Sequence, residues 1–412
     1  MRLLILLLCC CASAIAAAPL KTAELLAAGK EPVRIVCIGD SITGVYYHSG
    51  GRRAYPEMLQ LALQQLYPQA QVSVHNAGRS GDTTTGGLKR LEADVLSHKP
   101  QLVTIMFGMN DLVGTSVEVF KKNLREMITR CRNAGAEVLL CTQNSIVETP
   151  QRPCARLAEF TQAIRETAKD ESLVVADCFA AFEAVHGADP AEWDLLLSDT
   201  IHPNMAGHKL FAETLAQAIT GSSVSLQKVG PPTPALAHTF AKLKAGQPLQ
   251  VLAMPPYDAL ITPAIKRLFP EAVVKVASWP VEGQSLAQLE TSARKVRGAV
   301  QDLVIIAVPV ELPLENQVQF HHSYSWIMNW SLSFGMQQWD VVAALPSAAR
   351  PALSPAERRQ EAFARRLIMA QDLSMISRNN EDDSPLAEVL AGWLLAQMSM
   401  DSAGHAIPPL RQ

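Results

Sequence analysis

The stretch 33–44 reads Val33-Arg34-Ile35-Val36-Cys37-Ile38-Gly39-Asp40-Ser41-Ile42-Thr43-Gly44. Residues 33–38 are a short, mostly apolar run rich in β-branched residues, the pattern of a strand buried on both faces. Gly39 ends the run, and 55–67 then carries Met58, Leu59, Leu61, Leu63 and Leu66 as a helical stripe. Ser41 therefore stands at a strand-to-helix turn. The alternation continues with strands at 72–76, 102–107, 137–142 and 173–178 and helices at 88–98, 117–133, 156–169 and 206–219. Apolar strands separated by amphipathic helices predict a parallel sheet covered on both faces. Five strands with right-handed crossovers predict a flavodoxin-like, doubly wound α/β domain with strand order 2-1-3-4-5.

The whole chain fits such a fold. It has 412 residues, 48% hydrophobic and 18% charged, with 22 Gly and 26 Pro, which excludes a disordered, collagen-like or coiled-coil protein. The net charge of −3, from 36 Lys+Arg against 39 Asp+Glu, argues against a nucleic-acid partner, which would call for a basic surplus. Residues 1–18 read as an export signal: Met1-Arg2, an apolar run over 3–11, then small residues with Ala14 and Ala16 in an A-x-A pattern. That reading places the mature protein outside the cytoplasm, secreted or periplasmic. Pro19 stops the apolar run short of the roughly 20 residues a span needs, so no stable membrane span is expected.

Three of the eight cysteines, Cys9, Cys10 and Cys11, leave with that signal. Five remain, so at least one is unpaired within the chain. Cys37, Cys141 and Cys178 lie in strand-like runs and read as core thiols, while a Cys131–Cys154 pair stays open. The mature chain has no C-x-x-C and no H-E-x-x-H, so neither a metal nor an organic cofactor is expected.

Four short blocks carry chemistry. Gly39-Asp40-Ser41 follows the first strand, where a serine N–H near a helix start can stabilise an anion. Asn76-Ala77-Gly78-Arg79-Ser80-Gly81-Asp82 follows the second, and Gly108-Met109-Asn110-Asp111 the third, where an Asn amide is a good oxyanion donor. Asp199-Thr200-Ile201-His202-Pro203 precedes the last helix, with an acid three residues before a histidine whose tautomer it can hold. In order 2-1-3-4-5 the carboxyl ends of strands two, one and three are neighbours. Gly78, Ser41 and Asn110 therefore meet where open α/β sheets bind ligands.

These blocks resemble those of the SGNH hydrolases of the GDSL esterase superfamily over residues 33–219. The name-giving residues are Ser41, Gly78, Asn110 and His202, and Asp199 completes a triad. The resemblance implies the SGNH hydrolase fold and ester hydrolysis through a serine acyl-enzyme. Ser41 would attack, His202 would act as base and then acid, and Asp199 would orient it. The oxyanion would lie between the N–H groups of Ser41 and Gly78 and the side chain of Asn110. A small ester or acylated carbohydrate is the implied substrate, with carbohydrate O-deacetylation first. A lysophospholipase or thioesterase acting on lipid is the alternative, and a non-catalytic glycan-binding protein the other. Asp40, Arg79, Asp82 and Tyr46 are candidate substrate contacts. For Asp40 a structural hydrogen bond competes, for Arg79 and Asp82 a capping role, and for Tyr46, Tyr47 and His48 packing over the sheet edge.

Residues 221–237 (GSSVSLQKVGPPTPALA) read as a linker between a catalytic domain over 19–220 and a second α/β domain over 238–400, with a tail at 401–412. The second domain matches the first in order and period: 264–270 (AIKRLFP) parallels 62–68 (ALQQLYP), and 303–309 (LVIIAVP) parallels 102–108 (LVTIMFG). The same fold is expected there, without the chemistry. Met254-Pro255-Pro256-Tyr257 stands in place of the nucleophile turn, Pro309-Val310-Glu311 in place of the Asn block, and Asn380-Glu381-Asp382-Asp383-Ser384 before Pro385 in place of the acid–base block. Such a copy would cover the first site, bind substrate or form a dimer surface. His321-His322-Ser323-Tyr324-Ser325-Trp326, with Trp330, suits either sugar stacking or packing between domains. Adjacent histidines on a helix are not expected to share a metal.

Overall fold

A computed structural model describes residues 20–299, 301–308, 317–378 and 382–402. The expected signal at 1–18, the Pro309-Val310-Glu311 block, Asn380-Glu381 and most of the tail lie outside the described residues. Two five-stranded parallel sheets are present, each flanked by helices. The first comprises β1 (Val33–Gly39), β2 (Val72–Gly78), β3 (Leu102–Met106), β4 (Glu137–Cys141) and β5 (Val175–Ala176), ordered β2-β1-β3-β4-β5. The second comprises β6 (Leu249–Ala253), β7 (Val274–Ser278), β8 (Leu303–Ile306), β9 (Asp340–Ala344) and β10 (Ser374–Ile376). Read from β7, its order β7-β6-β8-β9-β10 repeats the first sheet position by position. The doubly wound α/β fold expected from the strand–helix alternation is the fold observed. No helix among the described residues is long and apolar enough to cross a membrane.

The local chemistry explains these elements. All of β1 except Arg34 is buried, and all of β3, because helices cover both faces of the central strands. Ser116 caps the helix Val117–Asn133 by accepting the N–H of Val119 at 3.3 Å, and Thr83 caps Thr84–Asp94 through Gly86. In register, Gly39 pairs with Gly78 on one side and Met106 on the other, so the three carboxyl ends finish level. That alignment brings Ser41, Gly78 and Asn110 to one edge.

Two local expectations differ. The fifth strand is two residues, not six, because Asp177 caps a new helix, Cys178–Ala188, accepting the N–H of Ala180 at 3.1 Å. Cys131 and Cys154 are both free. Cys131 is buried under the Val117–Asn133 helix, whereas Cys154 is exposed at the start of Cys154–Asp170. The stretch 221–237 is strapped down rather than loose. Leu226, Ala235 and Leu236 are buried, the Leu226 N–H donates to Glu213 at 2.6 Å, and Arg52 donates to the carbonyls of Pro234 and Ala235 at 3.0 Å.

Candidate active site

Ser41 lies in the turn after β1, whose geometry Asp40 sets. The Asp40 carboxylate accepts the Ile42 N–H at 2.9 Å, and its carbonyl accepts those of Thr43 and Gly44. The Ser41 side-chain oxygen is 2.9 Å from His202 Nε2, and His202 Nδ1 is 2.7 Å from Asp199 Oδ2. The second Asp199 oxygen accepts the N–H groups of Ile201 and His202 at 2.9 and 2.8 Å. Burial alone would raise the Asp199 carboxyl. The His202 ring and these two N–H donors outweigh it and hold the group well below its ordinary range. The structure thus brings Ser41, His202 and Asp199 into one hydrogen-bonded chain.

The acid–base loop is a tight hairpin. Ser198 N–H donates to the His202 carbonyl at 2.8 Å, and Leu197 bridges Pro203. Asn204 caps the helix Met205–Thr220 and also donates to the carbonyls of Leu195 and Leu197, pinning the loop base. Asn204 was not singled out from the sequence.

The oxyanion side differs in part from expectation. The Gly78 N–H donates to Asn76 Oδ1 at 3.0 Å, so that donor is already engaged inside the protein. Asn76 also donates to the Thr43 carbonyl at 2.9 Å, bridging the first two blocks. Asn110 donates one amide hydrogen to the Asp82 carbonyl at 3.0 Å, leaving its second for a ligand. Arg152 orients that amide, donating to Asn110 Oδ1 at 3.1 Å and to the Met109 carbonyl at 3.2 Å. Nothing in the spacing of the chain marked Arg152, which comes from the loop after β4. Arg90 was missed too: buried, it reaches the carbonyls of Ala77 and Gly39 and welds the ends of β2 and β1 together.

Three of the four candidate substrate contacts are turned to structural work, and the fourth is paired outside it. Asp40 is fully buried, and burial pushes its carboxyl up to about 7. Asp82 accepts from Arg90 at 2.6 Å. The Tyr46 hydroxyl accepts the Ser80 N–H at 2.8 Å, and its ring packs on Phe334. Arg79 is exposed and paired with Asp94 at 3.2 Å. Tyr47 donates to Asp199 Oδ2 at 3.4 Å, and burial followed by that negative charge raises its hydroxyl.

The second half of the chain reaches this site. Asn329, on the helix Gln317–Ser331, donates to the Ser198 carbonyl at 3.3 Å and accepts from the Ser198 hydroxyl at 3.2 Å. Gln371 donates to the same hydroxyl at 3.0 Å. Tyr47 N–H donates to the Phe334 carbonyl at 3.2 Å, and its ring lies against Arg297 at 4.6 Å and near Trp326. Trp326 and Trp330 stack on one another at 5.7 Å, and of the two Trp326 meets a first-half ring, that of Tyr47. His321 and His322, adjacent on their helix, both turn to Asp194, at 3.0 and 3.8 Å from its Oδ2. Their convergence departs from the expectation that neighbours diverge. Among the described residues these three side chains have ligating atoms close enough to hold a metal ion, but each imidazole is already paired with the carboxylate.

Comparison with known proteins identifies the family. The model of the GDSL-like lipase/acylhydrolase family matches residues 37–210. An acetylxylan esterase of Geobacillus stearothermophilus is 27% identical over 207 residues, 45% of this chain and 93% of that protein. An arylesterase of Vibrio mimicus is 29% identical over 197 residues, 47% of this chain and 92% of that protein. The thioesterase 1/protease 1/lysophospholipase L1 of Escherichia coli K12 is 30% identical over 187 residues, 45% of this chain and 82% of that protein. With an esterase's blocks in order and relatives matched over most of their length, this chain is an ester hydrolase and belongs to the GDSL-like lipase/acylhydrolase family.

Proposed function

We propose that the protein is an exported serine esterase that removes acetyl groups from carbohydrates. The observation that carries the chemistry is the Ser41–His202–Asp199 chain at 2.9 and 2.7 Å. His202 takes the Ser41 proton as the oxygen attacks the ester carbonyl, and the tetrahedral oxyanion forms over the carboxyl end of β1. The Ser41 N–H and the free Asn110 hydrogen receive it, and the Gly78 N–H joins them by giving up its bond to Asn76. Collapse expels the alcohol, protonated by His202, and leaves acetyl-Ser41. Water, deprotonated by His202, then releases acetate by the same steps in reverse order. Asp199 keeps the proton on Nδ1 and stabilises the imidazolium.

The carbohydrate reading is supported by the acetylxylan esterase among the relatives, and export by the signal-like residues 1–18. A lipid-directed reading has the Escherichia coli relative in its favour, and Phe334, about half exposed beside Tyr46. An intact hydrogen-bonded triad weighs against a purely glycan-binding role. The deciding measurement is hydrolysis of chromogenic esters of rising chain length by wild type and Ser41→Ala. Acetate turnover that Ser41→Ala lowers by about 10³-fold or more is expected. A steep preference for long acyl chains would move the lipid reading to the front. N-terminal sequencing of the exported protein tests the signal.

A further inference from the structure

We propose that the second half of the chain builds the leaving-group subsite of this esterase, and that the subsite takes the hydroxyl-bearing ring of an acylated sugar. The inference rests on the role of His202 proposed above. The proton taken from Ser41 returns to the departing oxygen from the same ring nitrogen. The leaving oxygen must therefore come within hydrogen-bond reach of Nε2, and the rest of the alcohol must extend over the His202 side of the site.

A cleft of about 260 Å³ between the halves has His202 and Asp199 in its lining, and the proposed subsite holds the alcohol there. Val147, Leu197 and Ile201 line it from the first half beside Thr200 and Asp194, so apolar wall surrounds the polar groups. His321, His322, Ser325 and Trp326, all on the helix Gln317–Ser331, line it from the second. A leaving group held by the base is thus faced by side chains that the second half supplies.

The lining selects a chemistry. Trp326 offers an indole already fixed against Trp330 and Tyr47, so little side-chain freedom is lost when a ring packs on it. Beside it stands the Asp194–His321–His322 cluster. The two imidazoles facing the Asp194 carboxyl, His321 by a hydrogen bond, hold it well below its ordinary range, and the nearby Asp194 carboxylate raises His322. An alkyl leaving group would cover these charges without replacing their water, at a desolvation cost. A sugar ring supplies hydroxyls to accept from His322 and donate to Asp194 while a C–H face meets Trp326. The volume lies just below the roughly 300–1,000 Å³ of pockets that enclose drug-sized ligands, which suits one ring.

The test compares two acetates in the full-length protein: an O-acetylated methyl pyranoside, and methyl acetate, whose methanol is too small to reach the second half. The readout is the ratio of their kcat/KM values, which cancels general damage to the fold or triad. Wild type is expected to favour the pyranoside ester. His322→Ala, at an exposed position, and Trp326→Ala are each expected to lower the ratio about tenfold or more, chiefly through KM, with Trp326→Phe restoring much of it. The deacetylated methyl pyranoside should compete with methyl acetate in wild type and more weakly in both alanine variants. An unchanged ratio in His322→Ala and Trp326→Ala alike, or no wild-type preference, overturns the subsite. Methyl acetate turnover that survives Ser41→Ala would instead overturn the proposed triad.

Discussion

The His48 ring lies 4.4 Å from that of His202 and within 10° of parallel, and His208 continues the column at 5.8 Å. Neither His48 nitrogen has a hydrogen-bond partner, and burial, followed by the charge of His202, keeps the ring neutral far below its ordinary value. If His202 acts as the proposed base, the neutral imidazole face stacked on it would stabilise its imidazolium by about 0.5–2 kcal/mol, the range of cation–π contacts. The other groups acting on His202 are Asp199, Ser41, Tyr47 and the more deeply buried Asp40. His48→Leu is expected to lower kcat about tenfold and to move the acidic limb of the pH–rate profile to lower pH, with His48→Phe close to wild type. Equal profiles for the two variants would reduce His48 to packing. Asp40 gives a stability prediction at the same scale. Its carboxyl titrates near 3.8 in the unfolded chain and at about 7 in the folded one. Between those values the folded state binds more protons, so Asp40 lowers stability as pH rises through that window. Asp40→Asn should therefore gain on wild type between pH 4 and pH 8, by about 3–4 kcal/mol, as read from urea midpoints. A pH-independent difference would show that Asp40 is ionised throughout.

At the scale of elements, the site depends on how closely the ends of β1 and β2 approach. A Cβ on Gly78 would overlap the backbone of Gly44 and Thr43, and neither is a flexible side-chain end that can move aside. Gly78→Ala is expected to cost about 1–3 kcal/mol, the usual penalty of overpacking, and to lower kcat by shifting the Ser41 turn away from Asn110. Thermal unfolding with aryl acetate kinetics checks both, and full activity in the variant would show the two turns to be independent. The acid–base hairpin is held differently, by hydrogen bonds from Asn204 below and Asn329 above.

At the scale of the molecule, the second sheet acts as a clamp on the first. Arg53, in the segment after the nucleophile turn, makes a two-pronged pair with Asp372 at 2.7 Å, with side chains 13% and 1% exposed. Arg52 reaches Asp340 at 3.1 Å, and Gln337 N–H donates to the Gly51 carbonyl at 2.7 Å. Breaking a buried pair strands a charge, so Arg53→Ala is expected to cost about 3–5 kcal/mol and to lower activity with it. Arg366→Ala, at the half-exposed pair with Glu192, should cost about 1 kcal/mol or less. Equal effects of the two in denaturant unfolding would mean that the halves are joined only loosely.

The strand–helix alternation and the four blocks were legible because they are local. Hydrophobic period, turn chemistry and the spacing of Asp199 from His202 are written in short windows of chain. The order of both sheets followed from them, since parallel crossovers leave few alternatives. What only the tertiary structure decided lies between distant segments. That Arg152 turns the Asn110 amide, that His48 stacks on His202 with His208 behind it, and that His321 and His322 share Asp194 all depend on contacts across tens to hundreds of residues. No periodicity encodes such contacts. They arise because packing two sheets edge to helix fixes loop positions to within an ångström, a precision that pattern along the chain does not carry.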